Sequence, residues 1–519
     1  MTPHRSGRMV RNALVMMLGT LASRVLGLAR EMVTAALFGA SAALDAFFVA
    51  FTLSNLARQL LAEGALSAAF VPVFSRVLSE SGKDRAARLA RRASAVLIAS
   101  CSAVVVLGIL LSPALVKVMA PGFSGQQFQL AVALTRRMFP FLLFVSVAAL
   151  AMGALNSLGS FFVPALAPAL SNVVFIALTA LLARSLGVEG MVWAVLAGGA
   201  AQMVFQVWWL RRKEGLSLLP AVPERSDSDL RRMMALFLPY ALGLSLNQLN
   251  PVLTRAFGSF LPDGTISALN YANRIIQLPL GLVVVGISQA VLPELSRADG
   301  DDAFCGALSD ALRFSLFLVL PVTVGGLLLS GESVHLLFVR GAFDRAAWDL
   351  TSQVLFWSLL GLPGMACGTV VMRGLYARQR PRDAVLTTGS CVGSLFLFGL
   401  LLARPFGARG VALAGSLAFT VSPIVGALLL RRCVPSLGRV NWKRLGGSLV
   451  PPAALGCCLA VWKLFLPYDA GWGLAVRCLW LVGCAGSAGA VWCATGLLMK
   501  RDEWTMLRSA MIRRKGGKA

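Results

Sequence analysis

Apolar runs about twenty residues long recur from one end of this chain to the other, and no other feature limits its folding as strongly. Wound as a helix, such a run spans the ~30 Å hydrocarbon core of a bilayer. Between loop signals the runs fall at 13–38, 43–75, 92–112, 134–156, 161–184, 190–210, 234–261, 265–293, 311–330, 349–376, 384–403, 410–430, 445–467 and 473–499. These are about fourteen transmembrane helices, and they leave no room for a soluble domain. Composition agrees. Of 519 residues, 57% are hydrophobic and 14% charged, against about 25% charged in soluble chains. The expected fold class is an all-α polytopic membrane protein.

The net charge of +25 would suggest nucleic acid as a partner for a soluble protein. Its distribution argues otherwise. Lys and Arg concentrate in loops on alternate sides of the runs: Arg5, Arg8 and Arg11; Lys83, Arg85, Arg88, Arg91 and Arg92; Arg211, Arg212 and Lys213; Arg378, Arg380 and Arg382; Arg431 to Arg444. The opposite loops offer little beyond Lys117, Arg184, Arg340, Arg345, Arg404, Arg409 and Lys463. The positive-inside rule then places both termini in the cytoplasm, which requires an even number of spans. The basic tail over 500–519 reads as a solvated cytoplasmic flank that can also meet anionic lipid headgroups.

Several function classes drop out. The ten cysteines lie scattered in apolar segments with no metal or disulfide spacing, and His4 and His335 are too few for a His-based metal site. No phosphate-binding loop of the form G-x-x-x-x-G-K-[ST] is present, nor a nucleophile triad. No cofactor or metal is expected, and the chain does not read as an enzyme or an ATP-driven pump.

The sequence compares with itself at a shift of about 220 residues. Val71-Pro72-Val73-Phe74-Ser75-Arg76 answers Leu292-Pro293-Glu294-Leu295-Ser296-Arg297, and Ala43-Leu44-Asp45 answers Ala268-Leu269-Asn270 after a small slip. Ala183-Arg184, Gly187 and Gly190 answer Ala403-Arg404, Gly407 and Gly410, and Leu210-Arg211-Arg212 answers Leu430-Arg431-Arg432. Each unit holds an even number of spans, so the two share one orientation. Two parallel six-helix lobes around a central cavity are a transporter architecture that works by rocking. The expected domains are 1–215 (N-lobe), 216–435 (C-lobe), 436–499 (two extra helices) and the tail 500–519.

Ionisable residues sit at depths where each costs ~2.5–3.5 kcal/mol. They are Arg24, Arg30 and Glu31 in the first span, Asp45, Arg58 and Glu63 in the second and Arg274 in the eighth. Asp45, Thr52, Asn55 and Gln59 share one side of a 3.6-residue helix, with Arg58 at its margin. Arg24 and Glu31 share a face, and Arg30 points about 120° away from Arg24. Ion pairing between helices explains part of this set. Arginines exceed acids, however, and a cationic cavity suits an anion such as phosphate, which Arg clamps in a bidentate way. Gly64, Pro72, Pro251, Pro279 and Gly281 are helix breakers near the same segments.

The stretch Ser23-Arg24-Val25-Leu26-Gly27-Leu28-Ala29-Arg30-Glu31, then Phe38-Gly39-Ala40-Ser41, resembles the MurJ/MviN family of lipid II flippases. So do Asp45-Ala46-Phe47, Ser54-Asn55-Leu56-Ala57-Arg58, Ala62-Glu63-Gly64-Ala65, Tyr271-Ala272-Asn273-Arg274, Leu278-Pro279-Leu280-Gly281, Arg340-Gly341-Ala342-Phe343 and Leu375-Tyr376-Ala377. The likeness covers essentially the whole chain. It implies a multi-pass protein of the bacterial cytoplasmic (inner) membrane that moves lipid II, the undecaprenyl-pyrophosphate-linked peptidoglycan precursor, to the periplasmic leaflet by alternating access. It further implies that Arg24, Arg30, Arg58 and Arg274 bind substrate, with Glu31, Asp45, Asn55, Gln59, Glu63 and Asn273 as polar support. The two extra helices would form a groove for the lipid tail, and cell-wall synthesis or division proteins are candidate partners. Two positions depart from the family pattern: Asn273 stands where an Asp is common, and Thr254 where sodium-binding members carry an Asp. The competing reading is export of another polyprenyl-linked saccharide or of drugs, although a drug exporter for cations would line its cavity with acids.

Overall fold

A computed structural model of the chain describes residues 3–60, 66–222, 224, 227–281, 291–292, 295–435 and 449–499. Among these residues every regular element is a helix. In chain order they are α1 (Pro3–Phe38), α2 (Ala42–Arg58), α3 (Ser67–Leu110), α4 (Ser112–Met119), α5 (Gly125–Met138), α6 (Phe141–Ser157), α7 (Phe162–Leu186) and α8 (Val188–Glu214). There follow α9 (Ser228–Ser245), a 3₁₀ turn (Leu246–Gln248), α10 (Leu249–Gly258), α11 (Thr265–Pro279), α12 (Gly300–Leu328), α13 (Ser330–Phe338), α14 (Arg345–Leu359), α15 (Leu362–Ala377), α16 (Pro381–Arg431), α17 (Val450–Phe465) and α18 (Leu474–Leu498). Among the described residues seven helices are long and apolar enough to cross a membrane, or eight if α14 and α15, bent by 41°, count as one span. This is a multi-pass membrane protein.

Breaks in the helices follow from the residues placed there. The expected span 234–261 divides at the 3₁₀ turn, just before Pro251, which falls in the first turn of α10 where a missing N–H costs nothing. The expected spans 384–403 and 410–430 are two helices, numbered together as α16, that meet at a kink at Gly407 (φ 58°, ψ −135°). Gly187, between α7 and α8, has nearly the same backbone (φ 55°, ψ −137°), at the position the 220-residue shift pairs with it. That conformation excludes most residues with a Cβ.

The chain forms two compact units, Met1–Ser267 with Arg340–Phe343, and Ala268–Val339 with Asp344–Ala519. In the first, α7 packs against both α1 and α8, α6 against α3 and α8, α2 against α5, and α9 along α3. Phe70, Phe74, Leu142, Leu150 and Leu155 lie fully inside its apolar core. The connector after α8 is strapped to α3. Leu216 and Leu218 are buried in that core, Arg92 pairs with Asp227 (2.7 Å) and with Glu224, and Asp229 accepts from Arg76 (2.8 Å) and Arg85 (3.1 Å). Burial alone would raise the Asp227 carboxyl. The Arg92 hydrogen bond and charge, with the Leu230 and Asp229 amides, hold it below the usual carboxylate range.

In the second unit α15 packs on α12 and α16, and α17 and α18 form a pair whose α17 packs on α12. One end carries an aromatic cap. His335 Nδ1 lies 2.8 Å from Tyr468 Oη, Trp348 Nε1 donates to Gly331 O (2.8 Å) and Trp480 Nε1 to Leu466 O (2.9 Å). Lys463 bridges to Glu332 at 2.6 Å and donates to Leu328 O. Burial, aided by the Arg477 charge, pushes the His335 imidazole below its ordinary value, so it is neutral at pH 7.

Candidate functional site

A polar cavity of about 180 Å³ opens among five helices of the first unit. Four of them contribute residues at helical spacing, and the fifth contributes one arginine. Phe51, Asn55 and Arg58 come from α2, Pro168, Ser171, Asn172 and Phe175 from α7, Phe141 and Val145 from α6, Val195 and Gln202 from α8, and Arg30 from α1. Offsets of three, four and seven residues put each set on one face. Pro168 lies within α7 and cannot donate to the preceding turn, so the helix backbone is looser where it borders the cavity.

The charged groups here are held by specific partners. Arg30 Nη2 bridges to Glu31 Oε1 at 2.9 Å, with Glu31 buried and the Arg30 side chain 23% exposed. The Arg30 guanidinium carbon also lies 5.5 Å from the Phe51 ring centre and 5.2 Å from that of Phe175. Arg58 Nε donates to Asn55 Oδ1 at 2.7 Å, and Asn172 Nδ2 donates to Ser23 O at 3.3 Å, joining α7 to α1. Guanidinium and amide groups around a polar cavity are the donor types that suit an oxyanion.

Of the residues singled out from the sequence, Arg30, Asn55 and Arg58 line this cavity, and Glu31 is bonded to Arg30. Arg24, half-buried on α1, is not among its lining residues. The remaining acids and amides are used elsewhere. Asp45, buried near the start of α2, caps the N-terminus of α11, accepting from Gly264 N (2.8 Å), Ser267 N (2.7 Å) and Ser267 Oγ (2.6 Å). A carboxylate at that helix end is favoured by the helix dipole. Gln59 accepts from Gln248 at 2.8 Å, and Thr52 bonds its own helix at Phe48 O. Asn273 (exposed) and Arg274 (half-buried) stand on the α11 segment that belongs to the second unit, and Glu63 lies outside the described residues. Thr254 Oγ1 donates to Asn250 O at 2.8 Å. Among the described residues no three His, Cys, Asp or Glu side chains converge as a metal site would need.

Sequence reasoning passed over Ser171, Asn172 and Gln202. The available signal was an amide inside an apolar run, spaced one turn from a proline on the same face.

The motif residues near the start of α2 also acquire a physical role. Ser41 caps α2 by accepting from Leu44 N, and Ala342 N donates to Ala36 O at 2.8 Å, tying the short 340–343 segment to the end of α1.

Comparison with known proteins points one way. A family model described as "Lipid II flippase MurJ" matches residues 34–475. A protein of Rhizobium tropici named probable lipid II flippase MurJ is 35% identical over 455 residues, 84% of each chain. The lipid II flippase MurJ of Burkholderia cenocepacia is 36% identical over 369 residues, 69% of this chain and 72% of that one. A solved structure titled "Lipid II flippase MurJ, inward closed conformation" is 25% identical and superposes with a TM-score of 0.77, covering 94% of this chain and 99% of that one.

Proposed function

This chain belongs to the lipid II flippase MurJ family, and from that premise we propose how its residues move the substrate. The protein is a lipid II flippase. It carries the polyprenyl-pyrophosphate-linked disaccharide-peptide from the cytoplasmic to the periplasmic leaflet of the bacterial cytoplasmic membrane, supplying peptidoglycan synthesis. Both termini lie in the cytoplasm, which keeps the Arg-rich loops on that side.

The pyrophosphate is the part of the substrate that a bilayer core excludes most strongly, since a charge there costs several kcal/mol (~2.5–3.5 on insertion scales). Arg24, Arg30, Arg58 and Arg274 replace its hydration. A planar guanidinium offers two parallel N–H donors to one phosphate, and Arg is more weakly hydrated than Lys, so its own desolvation costs less. Glu31, bonded to Arg30, moderates the positive charge, so that binding does not become a trap. Asp45, Asn55, Gln59, Glu63 and Asn273 support the arrangement. The observation that carries this reading is the meeting of Arg30 and Arg58 on one polar cavity inside apolar helices. Alternating access then exposes the site to each leaflet in turn.

The test is transport of a fluorescent lipid II analogue in proteoliposomes by Arg24→Ala, Arg58→Ala and Arg274→Ala. Each is expected to lose roughly 10- to 100-fold in rate at unchanged insertion, the scale of a lost charge-assisted hydrogen bond. Arg→Lys at the same positions is expected to impair transport as well, lacking the planar fork. Full activity in all three alanine variants would overturn the reading.

A further inference from the structure

We propose that Phe51 and Phe175 are positioning residues for Arg30: their rings hold the guanidinium inside the first unit's cavity, in the orientation that meets the phosphate oxygens of the substrate. The proposal deepens the role given above to Arg30 and rests on it.

An arginine on a long flexible stem loses much of its recognition value if it must be ordered at each binding event. Here three restraints act on one guanidinium from three helices. Glu31, on α1, holds Nη2 at 2.9 Å, while Phe51 from α2 and Phe175 from α7 lie 5.5 and 5.2 Å from the guanidinium carbon. Both distances are within the range at which a ring face attracts a cation, and the attraction strengthens when water is excluded. The rings themselves are fixed. Phe175 is 4% exposed, and Phe51 stacks on the buried Phe47 with ring centres 6.0 Å apart and planes 12° from parallel. The clamp faces the side chains that would share the ligand, because Arg58, Asn172 and Gln202 line the same cavity. A π-face attracts the cation yet offers no competing acceptor, so the N–H donors that Glu31 does not take stay available to an oxyanion.

Plain packing of two phenylalanines would look alike in static geometry, but it responds differently to electron withdrawal. Fluorine drains the ring face of negative potential with little change in size. We would replace Phe175 in the full-length protein by mono-, di- and trifluorophenylalanine and measure lipid II affinity and flipping in proteoliposomes. Affinity is expected to fall stepwise, reaching about 3- to 10-fold for the trifluoro ring. Phe175→Trp is expected to retain affinity, and Phe175→Leu to lose it. In an Arg30→Ala background the series is expected to be flat. A flat series in the wild-type background, with Arg30→Ala strongly impaired, would overturn the clamp and leave the role of Arg30 standing. Unchanged affinity in Arg30→Ala would overturn that role, and the clamp with it.

Discussion

Helix α7 and the first half of α16 are paired by the 220-residue shift, yet they present different chemistry. The α7 stripe Pro168, Ser171, Asn172, Phe175 corresponds to Thr388, Cys391, Val392, Leu395 on α16, and Gln202 of α8 corresponds to Ser422. The second-unit hydroxyls are taken up by backbone carbonyls. Thr388 Oγ1 donates to Ala384 O one turn back, and Ser422 Oγ donates to Thr387 O. In the first unit the same spacing delivers amide and aromatic groups to a cavity. A shared backbone therefore carries two side-chain programmes: polar groups that bond backbone carbonyls tighten packing, and polar groups that line a cavity stay open to a ligand.

Grafting the α16 residue into α7 is the sharpest way to break the contrast. Asn172→Val is expected to slow lipid II flipping about 10-fold at normal insertion, because one amide is lost from the cavity and its bond to Ser23 O is broken. The second unit should answer in stability instead. Lys463→Met leaves Glu332, 9% exposed, without its 2.6 Å partner, and is expected to cost about 1–2 kcal/mol, discounted for the partly exposed lysine. A thermal melt in detergent checks it, and transport per folded molecule should hardly change. The smallest effect concerns His335. Its folded value is depressed, so its contribution to stability is present above the ordinary value of about 6.5 and is lost as pH falls through the lower folded value. Tryptophan emission should shift below pH ~6.5 through Trp348, whose ring centre is 4.8 Å from that of His335, and His335→Gln should remove the shift.

The helices were readable because bilayer thickness sets run length and a charge inside a run is costly. The same cost exposed Arg30 and Arg58, which do line the cavity. Neutral amides carry a weaker penalty, so Asn172 and Gln202 passed as part of apolar spans. Helical spacing predicts one side for Asp45, Asn55 and Gln59, but it could not tell that Asp45 serves α11 while Gln59 bonds Gln248, since those partners are 222 and 189 residues away. The His335–Tyr468 contact, 133 residues apart, was hidden for the same reason. The division of 234–261 at the 3₁₀ turn was signalled only by Pro251.

The stripe on α7 has a consequence for how this gene can change length. Each residue along a helix advances the azimuth by about 100°, so one codon inserted between Pro168 and Ser171 would swing Ser171, Asn172 and Phe175 together to another flank. Every following side chain would keep its identity and lose its address. Substitutions alter this wall one contact at a time, whereas a single indel dismantles it at once; only insertions close to whole turns, of about seven, eleven or eighteen residues, return the face near its original bearing.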